Sequence, residues 1–361
     1  MYARMCNRTG APVTAMSPED AVAHVIATDP LFAVTQTQVG GVTMKAFANV
    51  PPTVPALLSA SREKQGAGQA EFLVYRDERL SYDAFCAEVN RMAHVLRDEF
   101  GMGKGDRVAL AMRNYPELLV MMLATASIGA VTVFLNAWWT TDELEFALSD
   151  SGARVVFADG PRLDRLLPLR DRLSLDIVGV RDGETAANRA YTALRDAAAS
   201  DAPVEVDLDT DDDFAIMYSS GTTGHPKGVV QTHRGVVNAV FSWLMQAVTG
   251  PLVTPPAPDA PPAPRPSALV VTPLFHVTAT HPLFLLGIPA GAKITMMHKW
   301  DAVRAFELIE REKIQSAGGV PTIAWQLIEH PARANYDLSS LESVAYGGAP
   351  SAPELVRRLS E

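Results

Sequence analysis

The sequence predicts an α/β protein in which parallel-rich sheets are covered by helices, arranged as two similar subdomains. Two observations carry that expectation. Short runs rich in β-branched residues alternate with segments of helical period, and the alternation starts again after an acidic stretch at 200–213. A chain of 361 residues has room for two or three packed units at about 150 residues each.

Residues 1–50 show little periodicity and read as an irregular arm; 1–69 as a whole reads as an N-terminal arm with the first helices. "FLVYRDERLSY" (72–82) opens the first subdomain, 70–199, as a short hairpin around Asp77 and Glu78. Ser81 caps a helix that sets Phe85, Val89, Met92 and Leu96 on one face and stops at Gly101. "RVALAM" (107–112) is a buried strand, a helix begins near Pro116, and "VTVFL" (131–135) is the next strand. "TTDELEFALSDSG" opens on a capping box, Thr140 to Glu143, and ends at Gly152; "RVVFA" (154–158) is again a strand.

"SDAPVEVDLDTDDD" (200–213) is acidic with few large apolar residues and reads as a solvated linker rather than a metal site. The second subdomain, 214–361, repeats the alternation with "FAIMY", "ALVVTP", "KITMM" and "SVAYGG" as strands. "GPLVTPPAPDAPPAPRP" (250–266) holds eight of the 26 prolines and reads as an exposed polyproline-like loop that packs as neither helix nor strand.

Composition narrows the class. Apolar residues make up 48% and charged residues 20%, which is ordinary for a globular protein. A formal net charge of -10 disfavours a nucleic-acid binder, which needs a basic face. Cys6 and Cys86 form neither a disulfide framework nor a metal knuckle, so reduced thiols in the cytoplasm are the simpler reading. No basic segment followed by an apolar core marks a signal peptide. Leu118 to Thr141 is uncharged and long enough to span a bilayer, but its hydroxyls and Gly129 split it into a buried helix and a core strand. No integral membrane span is expected.

The chemistry points to "YSSGTTGHPKG" (218–228). ATP presents several negative charges, and successive backbone N–H groups in a glycine-rich turn make a concave anion site. Gly221, Gly224 and Gly228 allow positive φ and close backbone approach. Ser219, Ser220, Thr222 and Thr223 add hydroxyl donors, Lys227 a compact point charge, and Pro226 stiffens the closing end. A Walker A loop is excluded because Pro226 precedes Lys227 and Gly228 follows it; the G-x-G-x-x-G dinucleotide spacing is missing too.

"YSSGTTGHPKGVVQTH" closely resembles the signature loop of the adenylate-forming superfamily of acyl-CoA synthetases, adenylation domains and luciferases. "LSYDAF" (80–85), "GDRVAL" (105–110), "GAVTVFLNAWWTTDELEFAL" (129–148), "TPLFHV" (272–277), "GGVPT" (318–322) and "YGGAP" (346–350) resemble the family's successive motifs in order, over residues 70–361. The resemblance implies that Ser219, Ser220, Gly221, Thr222, Thr223, Gly224 and Lys227 contact phosphates, with Thr223 and Lys227 in catalytic roles. It puts Gly347, Gly348 and Ala349 beside the adenine and His276 at the mouth of the acyl pocket. His276 and His281 are five apart, which does not set two ligands on one helical face, so no zinc site is expected.

The implied reaction joins a carboxylic acid to coenzyme A through an acyl-adenylate, with ATP, Mg²⁺ and coenzyme A as cofactor and co-substrates. The first step is alignment and charge stabilisation more than proton transfer. "LFLLGIPAGA" suggests a fatty or other hydrophobic acid. Other readings stay open: an amino-acid or aryl-acid adenylation domain feeding a carrier protein, or a non-catalytic nucleotide-binding module. Phe275-His276 stands where amino-acid-activating members carry Phe-Asp, which favours a plain acid. The family continues past "GGAP" with a metal-binding Glu, a ribose-binding Asp and a C-terminal domain bearing a lysine. The sequence to Glu361 is therefore expected to be an N-terminal portion, inactive alone. Whether the protein forms a homodimer is left open.

Overall fold

The structure is a computed structural model that describes residues 15–64, 68–219, 226–257, 259–347, 349–350 and 352–359. Its strands, in chain order, are β1 (Val34–Val39), β2 (Val42–Phe47), β3 (Glu71–Tyr75), β4 (Glu78–Ser81), β5 (Arg107–Ala111), β6 (Val131–Phe134), β7 (Val155–Asp159) and β8 (Asp176–Val180). They continue with β9 (Arg189–Ala190), β10 (Asp213–Ser219), β11 (Lys227–Thr232), β12 (Ser267–Val270), β13 (Lys293–Met296), β14 (Ser316–Gly319) and β15 (Ser343–Tyr346).

Two large sheets form the body. The first runs β11-β10-β6-β5-β7-β8-β9 and is parallel except at β11; the second runs β15-β14-β12-β13-β3-β4 and is parallel except at β4. Their inner strands, such as β5, β6 and β7, are buried on both faces, as covered parallel sheets require. Val108 and Leu110 of β5 face a core shared with Phe72 of β3 and Ile294 of β13, whereas the alternate residues Ala109 and Ala111 face a separate outer core. Leu269 and Val271 open a third core, with Phe306 and Ile309, on the far side of the second sheet. The shared core is filled by helices Tyr82–Asp98 and Pro116–Ser127; residues 116–126 of the latter are buried all round.

The local signals hold where the sequence placed them. Ser81 Oγ accepts from Ala84 N, both arms of the Thr140–Glu143 capping box form, and Gly152 ends its helix at φ 69°. Gly129, at φ 74°, turns the chain from the apolar helix into β6.

Four expectations need correction. First, the sheets do not divide the chain at 200–213. The hairpin β3–β4 joins the second sheet through β13, and "FAIMY" (β10) joins the first through β6. Each sheet thus takes an edge from the other half of the sequence, a long-range pairing that no local pattern encodes. Second, residues 15–50 are not irregular. Ser17 caps helix Pro18–Thr28, and β1 and β2 pair around Gly40 and Gly41, both at positive φ, the geometry a tight two-residue hairpin demands. Third, the proline-rich segment begins inside a helix, because His233–Val253 runs through Pro251. Proline there forfeits one hydrogen bond near the end of the helix, where the chain can yield; beyond the half-buried Pro255, the described residues up to Pro266 are exposed. Fourth, Gly228 lies in β11 without positive φ.

Among the described residues, His233–Val253 is the one helix long and apolar enough to cross a membrane. Val236, Val237, Val240, Phe241 and Leu244 are buried, and Phe241 packs edge-on against Phe32.

Candidate active site

In open α/β sheets, ligands bind beyond the carboxyl ends of the strands. Here two such edges meet, and Asn114 joins them. It follows β5, is 3% exposed, and its Nδ2 donates to the carbonyls of Thr272 (2.9 Å) and Met297 (3.2 Å). Its Oδ1 accepts from Leu274 N at 2.9 Å. One amide therefore ties the exit of β5 to the exits of β12 and β13. Beside it, Tyr115 lies 4.8 Å from the His298 ring and 5.9 Å from that of Tyr75.

The phosphate-loop segment is the connection of the β10–β11 hairpin. Ser219 ends β10, Lys227 begins β11, and the two are register partners, so their side chains share a face. Ser219 Oγ lies 3.5 Å from the Lys227 carbonyl, and both residues are exposed. Ser220, Gly221, Thr222, Thr223 and Gly224 lie outside the described residues. Gly228 matters for space: a Cβ there would meet Ile216 Cγ2 at 3.0 Å and the Tyr218 ring at 3.4 Å. Tyr218 anchors the first strand of the hairpin by donating to Asp150 Oδ2 at 2.8 Å, with the Ala147 carbonyl 3.0 Å away.

His276 lies just beyond β12 at the N-cap of the short helix Val277–Ala279. The residue is exposed, but its ring lies 4.6 Å from that of Phe275, and partial desolvation lowers its pKa. His281 is buried, with Nδ1 3.0 Å from Thr280 Oγ1, and burial lowers its pKa to about 4. Gly347 follows β15 and its N–H donates to the Gly319 carbonyl at 3.0 Å. Gly319 in turn crowds Thr272, whose Oγ1 would lie 3.2 Å from an added Cβ. Gly347 and Ala349 are exposed, and Gly348 lies outside the described residues.

Two neighbouring tryptophans link the parts. Trp139 packs edge-on to Tyr218 at 5.5 Å, and Trp138 packs edge-on to Phe275 at 5.1 Å. Sequence reasoning missed both, along with Asn114; "NAWW" directly after a strand was the available signal. Near the seam, Arg113 Nε, Arg162 Nε and His298 Nδ1 are buried without a hydrogen-bond partner. Buried orphans of this kind suit an ordered water. Among the described residues, no group of three or more His, Cys, Asp or Glu stands ready for a metal, so no residue is assigned to magnesium.

A sequence profile described as AMP-binding enzyme matches residues 60–361. The chain belongs to the AMP-binding enzyme family. It is 35% identical over 283 residues to the long-chain-fatty-acid–CoA ligase FadD13 of Mycobacterium tuberculosis, covering 78% of this chain and 52% of that protein. It is 31% identical over 259 residues to 4-coumarate–CoA ligase 3 of Arabidopsis thaliana, covering 71% and 44%. The chain thus spans about half the length of the curated relatives it matches. Among solved structures, the inhibitor-bound N-terminal domain of FACL13 from M. tuberculosis aligns with TM-score 0.70 at 30% identity, covering 85% of this chain and 73% of that one. A fatty acyl CoA synthetase of M. tuberculosis aligns with TM-score 0.70 at 28% identity, over 86% and 57%. The α/β architecture expected from the strand–helix alternation and the family membership expected from the loop both stand.

Proposed function

We propose that this member of the AMP-binding enzyme family supplies the nucleotide- and acid-binding part of an ATP-dependent acid–CoA ligase. Its substrate is a fatty or other hydrophobic carboxylic acid. The observation that carries the proposal is the placement of the glycine- and hydroxyl-rich segment. It connects β10 to β11 at a carboxyl edge, with Lys227 at its closing end.

In the reaction, a carboxylate oxygen attacks the α-phosphorus of ATP, and the bond to the bridging oxygen breaks to release pyrophosphate. The coenzyme A thiol then attacks the acyl carbon, loses its proton, and AMP departs with the bridging oxygen. Lys227 balances phosphate charge, and the hydroxyls of Ser219, Ser220, Thr222 and Thr223 donate to phosphate oxygens. Gly228 keeps Ile216 and Tyr218 close beneath the hairpin. Gly347, Gly348 and Ala349 flank the base, and His276 faces the acid. Magnesium, when bound with the nucleotide, supplies charge neutralisation.

An aryl acid is the second reading, favoured by the exposed Trp138, which offers flat aromatic surface. The test is thioester formation by the full-length gene product with ATP, coenzyme A and a panel of fatty, hydroxycinnamic and amino acids. Product from fatty or aryl acids supports the proposal. Product from amino acids alone, or nucleotide binding with no acid consumed, overturns it.

A further inference from the structure

We infer that Trp138 and Trp139 form a two-headed positioning element, one indole seating the base of the nucleotide hairpin and the other seating the acid-side segment Phe275–His276. The inference rests on the proposed ligase function and gives the two tryptophans a positioning role within it.

The turn that carries the indoles is held from both sides. Asn136 Oδ1 accepts from Trp138 N at 2.9 Å, and the Asn136 carbonyl accepts from Trp139 N at 3.0 Å. Arg165 Nη1 donates to the Trp139 carbonyl at 2.8 Å and lies 3.4 Å from that of Ala137. The Thr140–Glu143 capping box follows at once, so the turn leads directly into helix Thr141–Ser151. Adjacent residues in such a turn keep a fixed relation to each other.

The two rings point to different neighbours. Trp139, 9% exposed, meets Tyr218 edge-on at 72°. The Tyr218 hydroxyl reaches Asp150 on the same helix that Trp139 precedes, so the residue before Ser219 is gripped at ring and hydroxyl. Trp138, 54% exposed, meets Phe275 edge-on at 78°, and the Arg113 guanidinium lies 5.6 Å from its ring centre. Phe275 is buried and carries the neighbouring His276 ring against it. Trp138 is too exposed to add much to the core; its contacts order Phe275 and the edge instead.

In-line attack needs the acid and the α-phosphate aligned within about 3–3.5 Å. One rigid turn that touches both half-sites sets their relative placement, so each indole should act on a different substrate.

The test uses the full-length gene product. Trp138→Ala should raise KM for the acid by roughly two- to tenfold, the range of a lost aromatic pair, with ATP affinity by calorimetry in the absence of acid unchanged. Trp139→Ala should weaken ATP binding by a similar factor. Phe at either position should restore most of the loss, because it keeps an edge contact. Should Trp139→Ala fail to fold, Tyr218→Phe, which keeps the ring but removes the hydroxyl's ties to Asp150 and the Ala147 carbonyl, is expected to weaken ATP binding instead. Equal loss on both substrates from both variants, or no change from either, overturns the inference. If the parent makes no thioester, the functional reading fails, and ATP affinity alone decides: unchanged binding in Trp139→Ala overturns the positioning role.

Discussion

Replacing Asn114 should loosen the seam between the two sheets more than any exposed substitution nearby. In Asn114→Ala, the Thr272 and Met297 carbonyls lose their donor and the Leu274 N–H loses its acceptor, in a site only 3% exposed. Each stranded group costs roughly 1–3 kcal/mol, and the three are not independent because one side chain serves them all. A loss of about 3–5 kcal/mol is expected, at the upper end for single substitutions. Asn114→Asp sharpens the argument. It keeps the acceptor for Leu274 but turns an ionised oxygen toward two carbonyls. That carboxyl should have a folded pKa above its unfolded value, so the variant should lose stability as pH rises through the folded pKa. Urea unfolding of parent and variants across a pH series reads both effects. An alanine variant within about 1 kcal/mol of the parent, or an aspartate variant with the parent's pH dependence, would refute the reasoning.

Four further outcomes are expected. Lys227→Ala should weaken ATP binding by about 1–3 kcal/mol, measured by calorimetry at matched salt; equal affinity removes Lys227 from the site. Gly228→Val should cost about 1–3 kcal/mol of stability in urea, because its Cβ meets Ile216 and Tyr218, and should weaken ATP binding as the hairpin shifts; parent-like unfolding would show that the strand has room. His276→Ala should change preference among acids more than affinity for ATP, read by competition between two acids, and lost ATP binding with unchanged preference contradicts that role. Burial pushes the Glu312 carboxyl up, but hydrogen bonds from Arg79, Lys293 and Arg311 prevail and hold it at about 2, below its usual 4.5. Its contribution is therefore present above the unfolded pKa and lost as pH falls through the folded one, so Glu312→Gln should flatten acid unfolding; an unchanged acid transition speaks against the cluster.

Local chemistry made much of this fold legible. Ser81, the Thr140–Glu143 box, Gly129 and Gly152 act on neighbours within a few residues, and the sequence states them directly. The Val-Gly-Gly-Val hairpin at 39–42 is equally local, but its strands are too exposed to show a clear apolar alternation. The exchange of edges between sheets had no such signal. Whether "FAIMY" pairs with β6 or with a later strand depends on packing across more than 80 residues of chain. Asn114 was illegible for the same reason, since its partners lie 158 to 183 residues away in sequence and its role is to satisfy groups that only the folded seam brings together. The phosphate segment was legible because its chemistry is compositional, with glycines, hydroxyls and one lysine in a single run.

The most direct test of adenylate chemistry is to follow oxygen. The full-length gene product, given ATP, coenzyme A and a hydrophobic acid labelled with ¹⁸O in its carboxylate, should return AMP carrying one label, because the attacking oxygen becomes the bridge and leaves with AMP. Label found in inorganic phosphate with ADP as the nucleotide product, or AMP formed without label, would contradict attack of the carboxylate on the α-phosphorus.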